Sequence, residues 1–299
     1  YYEHDSVVPA CKEYMKALEV MERHFEEKEL VGKKAKFMAL TYSHLTSLFS
    51  DWYLHEQAIY FGKESLKYYQ KYDAEAWYIA WTLDEIGLHY DIMENYDSAE
   101  YYYKGGVMVL SDTNNLSYRD IATHIAFLSY KKGEDLESSL KQLYSILSRS
   151  ESKQEYMSRC LTIGELYYHE KVFDSAWLYL NNVFYLSQII SAKKQAAEWL
   201  VEICKTKENM CDIHKCAEFL VPFANQEENS SGLKSQLTEL HNEFKQRNLE
   251  QQQHYERMKH ATQAILALVG LLIILLIVVF LYRKNKQIEI GRASCRERV

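Results

Sequence analysis

From the N-terminus to about residue 262, apolar residues return every three or four positions with polar residues between them, the period of amphipathic helices. Nowhere does an alternating run bounded by turn pairs suggest a strand. The pattern changes at Ala264. From there to Tyr282, nineteen residues carry no charge and no proline, and at 1.5 Å per residue a helix of that length spans about 28 Å, the thickness of a bilayer core. A helix apolar around its whole circumference for five turns suits lipid better than a protein interior.

The same pattern repeats over a longer range. "GLHYDIMENYDSAEYYY" (87–103) and "GELYYHEKVFDSAWLYL" (164–180) align without a gap, pairing Gly87 with Gly164, Tyr90 with Tyr167 and Ala99 with Ala176 at a separation of 77 residues. Halving that step finds further units. Ala17, Ala58, Ala99, Ser138 or Ser139, Ala176 and Ala217 recur at a mean step of 40 residues, marking six units. Each reads as two helices. Residues 86–90 end the first, a polar break falls near Glu94 and Asn95, and the second begins at about Asp97. Gly87 is expected to face Ala99 so that the two backbones approach closely, with Tyr90 and Tyr103 filling the space on either side. One such hairpin cannot bury its own apolar face, so neighbours must stack.

The G-x2-Y-x5-[YF]-D-S-A pattern resembles the tetratricopeptide repeat, whose Gly, aromatic and Ala positions correspond to Gly87, Tyr90, Ala99 and to Gly164, Tyr167, Ala176. The likeness covers about residues 10–225. It departs in lacking the proline that closes each repeat, in matching the early Trp only loosely with Trp81, and in its longer period. The resemblance implies an all-α, TPR-like helical-hairpin solenoid over residues 1–226, with the first repeat incomplete, and a groove that takes a protein or peptide ligand. The aromatic stretches 77–78, 101–103 and 167–168 are candidates to line it, or packing residues of the array.

Residues 227–262 form a polar helix, 263–283 the single transmembrane helix and 284–288 a cytoplasmic stub. Within the polar helix Leu233, Leu237, Leu240 and Phe244 alternate steps of four and three, a short candidate seam. It reads either as a helix capping the solenoid and leading into a stalk, or as the seam of a parallel homodimer. Arg283, Lys284 and Lys286 crowd the far edge of the span, whereas Arg257 and Lys259 are set back and diluted by Glu250 and Glu256. The positive-inside rule then places the C-terminal side in the cytoplasm and the solenoid outside, anchored in the inner membrane.

Charge and composition narrow the chemistry. The chain carries a net −7 with its histidines neutral, and because residues 263–299 contribute +4, residues 1–262 hold −11. Such a body is not built to bind nucleic acid. Two prolines and ten glycines in 299 residues leave few interruptions to helix. No phosphate loop, H-E-x-x-H, G-x-S-x-G or paired-carboxylate motif is present, so no catalytic residue and no cofactor site is assigned and no enzyme is expected. Cys204, Cys211, His214 and Cys216 lack the paired spacing of a zinc site, and no metal is assigned. A Cys204–Cys211 or Cys211–Cys216 disulfide is an alternative to buried thiols in an external domain. His89 and His124 fall near the repeat core and read as structural.

The chain opens on "YYEHDSVV" without Met or a targeting segment, so an earlier part is expected. "EIGRASCRERV" (289–299) lacks a helical pattern and is similar to the translation of a short-read sequencing adapter, which would end native sequence near Ile288. The order of parts resembles bacterial membrane-anchored tetratricopeptide signalling proteins, whose cytoplasmic output can be a DNA-binding regulator or a histidine kinase. An anchored scaffold for protein assembly is the alternative.

Overall fold

The computed structural model describes residues 6–24, 31–71, 74–206, 213–228 and 230–296. Among these every regular element is a helix: α1 (Val7–His24), α2 (Val31–Asp51), α3 (His55–Tyr69), α4 (Ala76–Ile92), α5 (Tyr96–Val109), α6 (Leu116–Lys131), α7 (Leu136–Leu147), α8 (Lys153–His169), α9 (Phe173–Leu186), α10 (Ile190–Thr206), α11 (Ile213–Glu228) and α12 (Ser231–Arg296). The chain divides into two compact units, Tyr1–Leu240 and His241–Val299.

The first unit is a TPR-like stack of antiparallel hairpins. The pairs α2/α3, α4/α5, α6/α7, α8/α9 and α10/α11 each pack internally, and each then packs on the next. We call the first helix of each pair leading and the second trailing. α1 packs on α2 as the trailing helix of a unit before it. Contacts also join successive leading helices, α4 to α6, α6 to α8 and α8 to α10, more than they join successive trailing helices.

The turns within the pairs are made alike. Tyr53, Glu94, Gly133 and Lys171 each take a positive φ, between 57° and 101°. The next amide in each turn, that of Leu54, Asn95, Glu134 or Val172, donates to a carbonyl five residues back. This is the left-handed helix stop with its 6→1 bond. Of the helices that follow these turns, α5 and α7 start on side-chain caps, Asn95 accepting from the Ser98 amide and Asp135 from that of Ser138, and the leading helices α6 and α8 are capped in the same way by Asn115 and Ser152.

Small residues sit where the hairpins close. Ala58, Ala99, Ser139 and Ala176 are fully buried. At the ends of the array the forty-residue ruler slips. Ala17 and Ala217 are exposed, and Leu18 and Cys216 beside them are buried instead. The outermost helices pack on one side only, so their register is set by the larger neighbour that reaches the core. Successive layers of core follow the stack, from Ala80, Tyr103, Ile121 and Leu128 to Cys160, Leu180, Ala196 and Leu200.

Within the first unit the start of α12 buries Leu233 and Leu237, and Leu240 is partly covered. In the second unit Phe244 is buried, while every large apolar side chain from Ile265 to Tyr282 is exposed. That all-round exposure distinguishes the segment from a soluble core helix, and α12 is long and apolar enough to cross a bilayer. The backbone stays helical through Arg296, beyond the point where the sequence pattern fades. With no proline or turn pair to stop it, an established helix propagates at little cost.

Candidate functional site on the leading helices

Gly87 and Gly164 lie where the leading helix meets its partner. A β-carbon on Gly87 would stand 2.6 Å from Cδ1 and Cε1 of Tyr103, and one on Gly164 would stand 2.7 Å from Cγ of Leu180. Tyr103 and Leu180 are themselves repeat equivalents, 77 residues apart. Tyr103 thus covers Gly87 directly. Tyr90 packs elsewhere, stacked on Tyr102 at 5.5 Å with Lys63 donating to its hydroxyl at 2.7 Å. Tyr167 repeats that arrangement: it stacks on Tyr179 at 6.0 Å, and its hydroxyl meets that of Tyr144 at 2.9 Å. Both clusters join a trailing helix, the next leading helix and its partner, and so belong to the packing of the array.

A second set of contacts joins one leading helix to the next. Between α4 and α6, Asp84 Oδ1 and His124 Nδ1 are 2.8 Å apart, and Lys131 donates to both carboxylate oxygens of Asp91 at 3.0 Å. Between α6 and α8, Arg119 donates to Glu155 from Nε at 2.6 Å and from Nη2 at 3.1 Å, Arg159 donates to Asp120 at 2.6 Å, and the Tyr130 hydroxyl donates to Glu170, which caps α8, at 2.6 Å. Gln195 on α10 donates to Glu165 on α8 at 3.3 Å. Aromatic rings accompany these polar contacts. The Lys131 ammonium lies 4.6 Å from the centre of Phe127, Phe127 contacts His169, and His169 and Tyr168 both contact Trp199 on α10. The result is a continuous strip of charged and aromatic side chains, part of it buried, that joins the leading helices.

Burial sets the electrostatics of this strip. Arg119, Glu155 and Arg159 are nearly inaccessible, and although burial opposes ionisation of Glu155, hydrogen bonds from Arg119 hold its carboxyl below the usual range. Burial and the neighbouring Asp84 push Glu85 up to about 7. Asp84 and Asp120 overcome the burial of His124 and raise it. His89 faces away from these pairs, with Nδ1 3.1 Å from Nδ1 of His55 on α3, and burial followed by the charge of His55 lowers it to about 4.

Of the aromatic stretches singled out in the sequence, Tyr168 joins the strip and Tyr103 lies beneath it, its ring 5.5 Å from that of His124. Tyr101 is exposed on a trailing helix, Tyr102 and Tyr167 pack in the ring clusters, Tyr103 is buried, and Trp77 and Tyr78 stack on each other. The strip's charged members escaped the sequence reading, yet they carry a signal. Asp84/His124, Asp91/Lys131 and Tyr130/Glu170 are each 40 residues apart, so complementary groups one period apart mark helices that lie side by side.

Among the described residues no group of three or more His, Cys, Asp or Glu is placed to hold a metal ion. Cys211 lies outside the described residues, and with it both candidate disulfides. Cys216 is a buried thiol outside any disulfide, against the Cys211–Cys216 pairing, and Cys204 is disulfide-bonded.

No family model matches the chain, and no curated protein does. Solved structures do. The chain is similar to the apo form of RapI, at 13% identity and a TM-score of 0.54, over 84% of this chain and 93% of that one. It is similar to the Rap conjugation gene regulator of the plasmid pLS20, solved with the Phr* peptide, at 15% identity and a TM-score of 0.56, over 85% and 71%. NprR in complex with its cognate peptide NprX aligns at 15% identity and a TM-score of 0.57, over 78% and 65%. At these identities the likeness concerns the fold, which is a TPR-like helical repeat.

Proposed function

We propose that the solenoid is the non-catalytic, peptide- or protein-binding region of a single-pass membrane protein, and that its ligand lies along the leading-helix strip. The observation that carries this reading is the strip itself, in which ionic groups and rings join successive leading helices and Tyr168, His169 and Trp199 stand partly or fully open to solvent. Two structures of similar fold were solved with peptides bound, which supports a peptide as the first ligand class to test. Rings with a polar edge and paired charges suit extended chains, whose amides and side chains both need partners.

In this reading α12 spans the inner membrane with Arg283, Lys284 and Lys286 on the cytoplasmic side, the solenoid lies outside, and ligand binding is passed to a cytoplasmic output, of which a DNA-binding transcriptional regulator is one candidate. A disulfide at Cys204 fits an oxidising compartment. Because Leu233 and Leu237 are already buried within the solenoid unit, we take the start of α12 as a capping helix; a homodimer seam through these residues would first have to free them.

Photo-crosslinking tests the binding face. A benzophenone amino acid at His169 should capture ligand from the extracytoplasmic fraction, and the same group at Tyr101 on the trailing side should not; capture at Tyr101 alone would move the site off the strip. Protease digestion of intact spheroplasts against inverted vesicles tests orientation, with cleavage of the solenoid in vesicles alone as the result that reverses it.

A further inference from the structure

The floor of the strip between α4 and α6 holds a polar group that packing does not explain. Tyr103 reaches it from α5, with its ring over Gly87 and 5.5 Å from that of His124. Its side chain is fully buried and its hydroxyl has no hydrogen-bond partner. The carboxylates nearest in effect are Asp84, Asp91 and Glu85, each of which acts electrostatically on that hydroxyl. The equivalent position in the other well-formed repeat is Leu180, which covers Gly164 in the same way without a polar atom. A leucine is therefore enough for the fold, and leaving a buried hydroxyl unpaired costs about 1–3 kcal/mol.

Charge at this point is out of balance. Asp84 is matched by His124 and Asp91 by Lys131, but the Glu85 side chain makes no hydrogen bond or ion pair with any described residue; it lies within the field of the like charges Asp84 and Asp51, opposed by that of His124, which Asp84 already engages. Arg159, the other cation near His124, is taken up by Asp120 and Glu155. A neutral occupant would satisfy the hydroxyl and leave the carboxylates crowded. A group that donates several hydrogen bonds and carries positive charge would satisfy both.

Building on the proposal that the strip binds peptides, we infer that the α4–α6 floor is a subsite for a cationic group of the ligand, a guanidinium or ammonium that donates to Glu85 and Asp84 and engages the Tyr103 hydroxyl. The positive charge could come from a basic side chain or from a peptide N-terminus. The net −11 of residues 1–262 favours the approach of such a ligand at low salt.

The test uses the full chain in lipid nanodiscs and three synthetic pools of random nine-residue peptides. One is capped at both ends with arginine at a single fixed position, the second has citrulline in its place, and the third has citrulline with a free N-terminus. Retention is read by mass spectrometry. The capped arginine pool, the free-amine pool or both should be retained about tenfold better than the capped citrulline pool, as expected for one charge-assisted contact, and which of them is retained identifies the source of the charge. In Glu85→Gln and in Tyr103→Phe, which keeps the ring, that preference should fall at least threefold. Equal retention of all three pools overturns the cationic subsite while leaving the peptide groove standing. A preference undiminished in both variants places the charge elsewhere and also overturns the subsite. Failure to retain any pool removes both the subsite and the peptide reading.

Discussion

The ring of Tyr103 lies against the backbone of Gly87 so closely that its Cδ1 and Cε1 occupy the space a β-carbon would need, 2.6 Å away. Tyr103 is buried on all sides and its ring cannot bend. Gly87→Ala should therefore push α4 from α5 and lower stability by up to about 2 kcal/mol, the overpacking cost of about 1–3 kcal/mol less the roughly 1 kcal/mol that alanine returns in a helix. Gly105→Ala on the neighbouring helix is the control, because its new methyl would meet only Leu83 at an ordinary 3.7 Å. Urea midpoints should fall for the first and rise slightly for the second.

The hairpin turns make a separate prediction. Glu94 and Lys171 hold the left-handed conformation at φ 59° that Gly133 takes without strain at 101°. A side chain there costs about 1 kcal/mol. Lys171→Gly should raise the thermal midpoint and Gly133→Ala should lower it, each by the equivalent of about 1 kcal/mol less any entropy change in the unfolded chain.

Much of this architecture is legible in the residues. Apolar period, the polar break at Glu94 and Asn95, and the 77-residue match of two glycine-alanine pairs are enough for a stack of hairpins, because each is a local constraint repeated. The ends of the array are less legible. There Ala17 and Ala217 continue the spacing but face outward, since a terminal helix lacks the second neighbour that fixes which residue is enclosed. The stops at Tyr53, Glu94 and Lys171 are hidden for another reason: hydrogen bonds and packing impose the conformation on residues whose own preference is against it. Which tyrosines pack and which line the strip could not be read, because Tyr167 and Tyr168 are adjacent on one helix and a rotation of about 100° separates their environments.

The buried ionic group between α6 and α8 should be unforgiving of partial removal. Glu155 lies between Arg119 and Arg159, all three being nearly inaccessible. Glu155→Leu leaves two buried cations with reduced compensation and should cost about 3–5 kcal/mol, whereas replacing all three with apolar residues of similar volume should restore most of that loss. Chemical denaturation of the single and triple variants checks this. A single variant as stable as the parent would mean that water reaches the guanidinium groups.

Acid should act on His89 and Glu85 in opposite directions. His89 titrates at about 4 in the fold against a usual 6.5, so the unfolded chain takes its proton first and the stability tied to the neutral ring, on the order of 3 kcal/mol, is complete above pH 6.5 and lost as pH falls toward 4. Glu85 titrates at about 7 in the fold against a usual 4.5, so there the folded chain takes the proton first and the penalty of its buried charge is relieved as pH falls from 7 to 4.5. The windows overlap, and each masks the other in the parent protein. Denaturation midpoints between pH 4 and 8 should therefore fall more steeply on acidification in Glu85→Gln than in the parent, and less steeply in His89→Gln. If all three profiles superimpose, neither group is held as the structure places it.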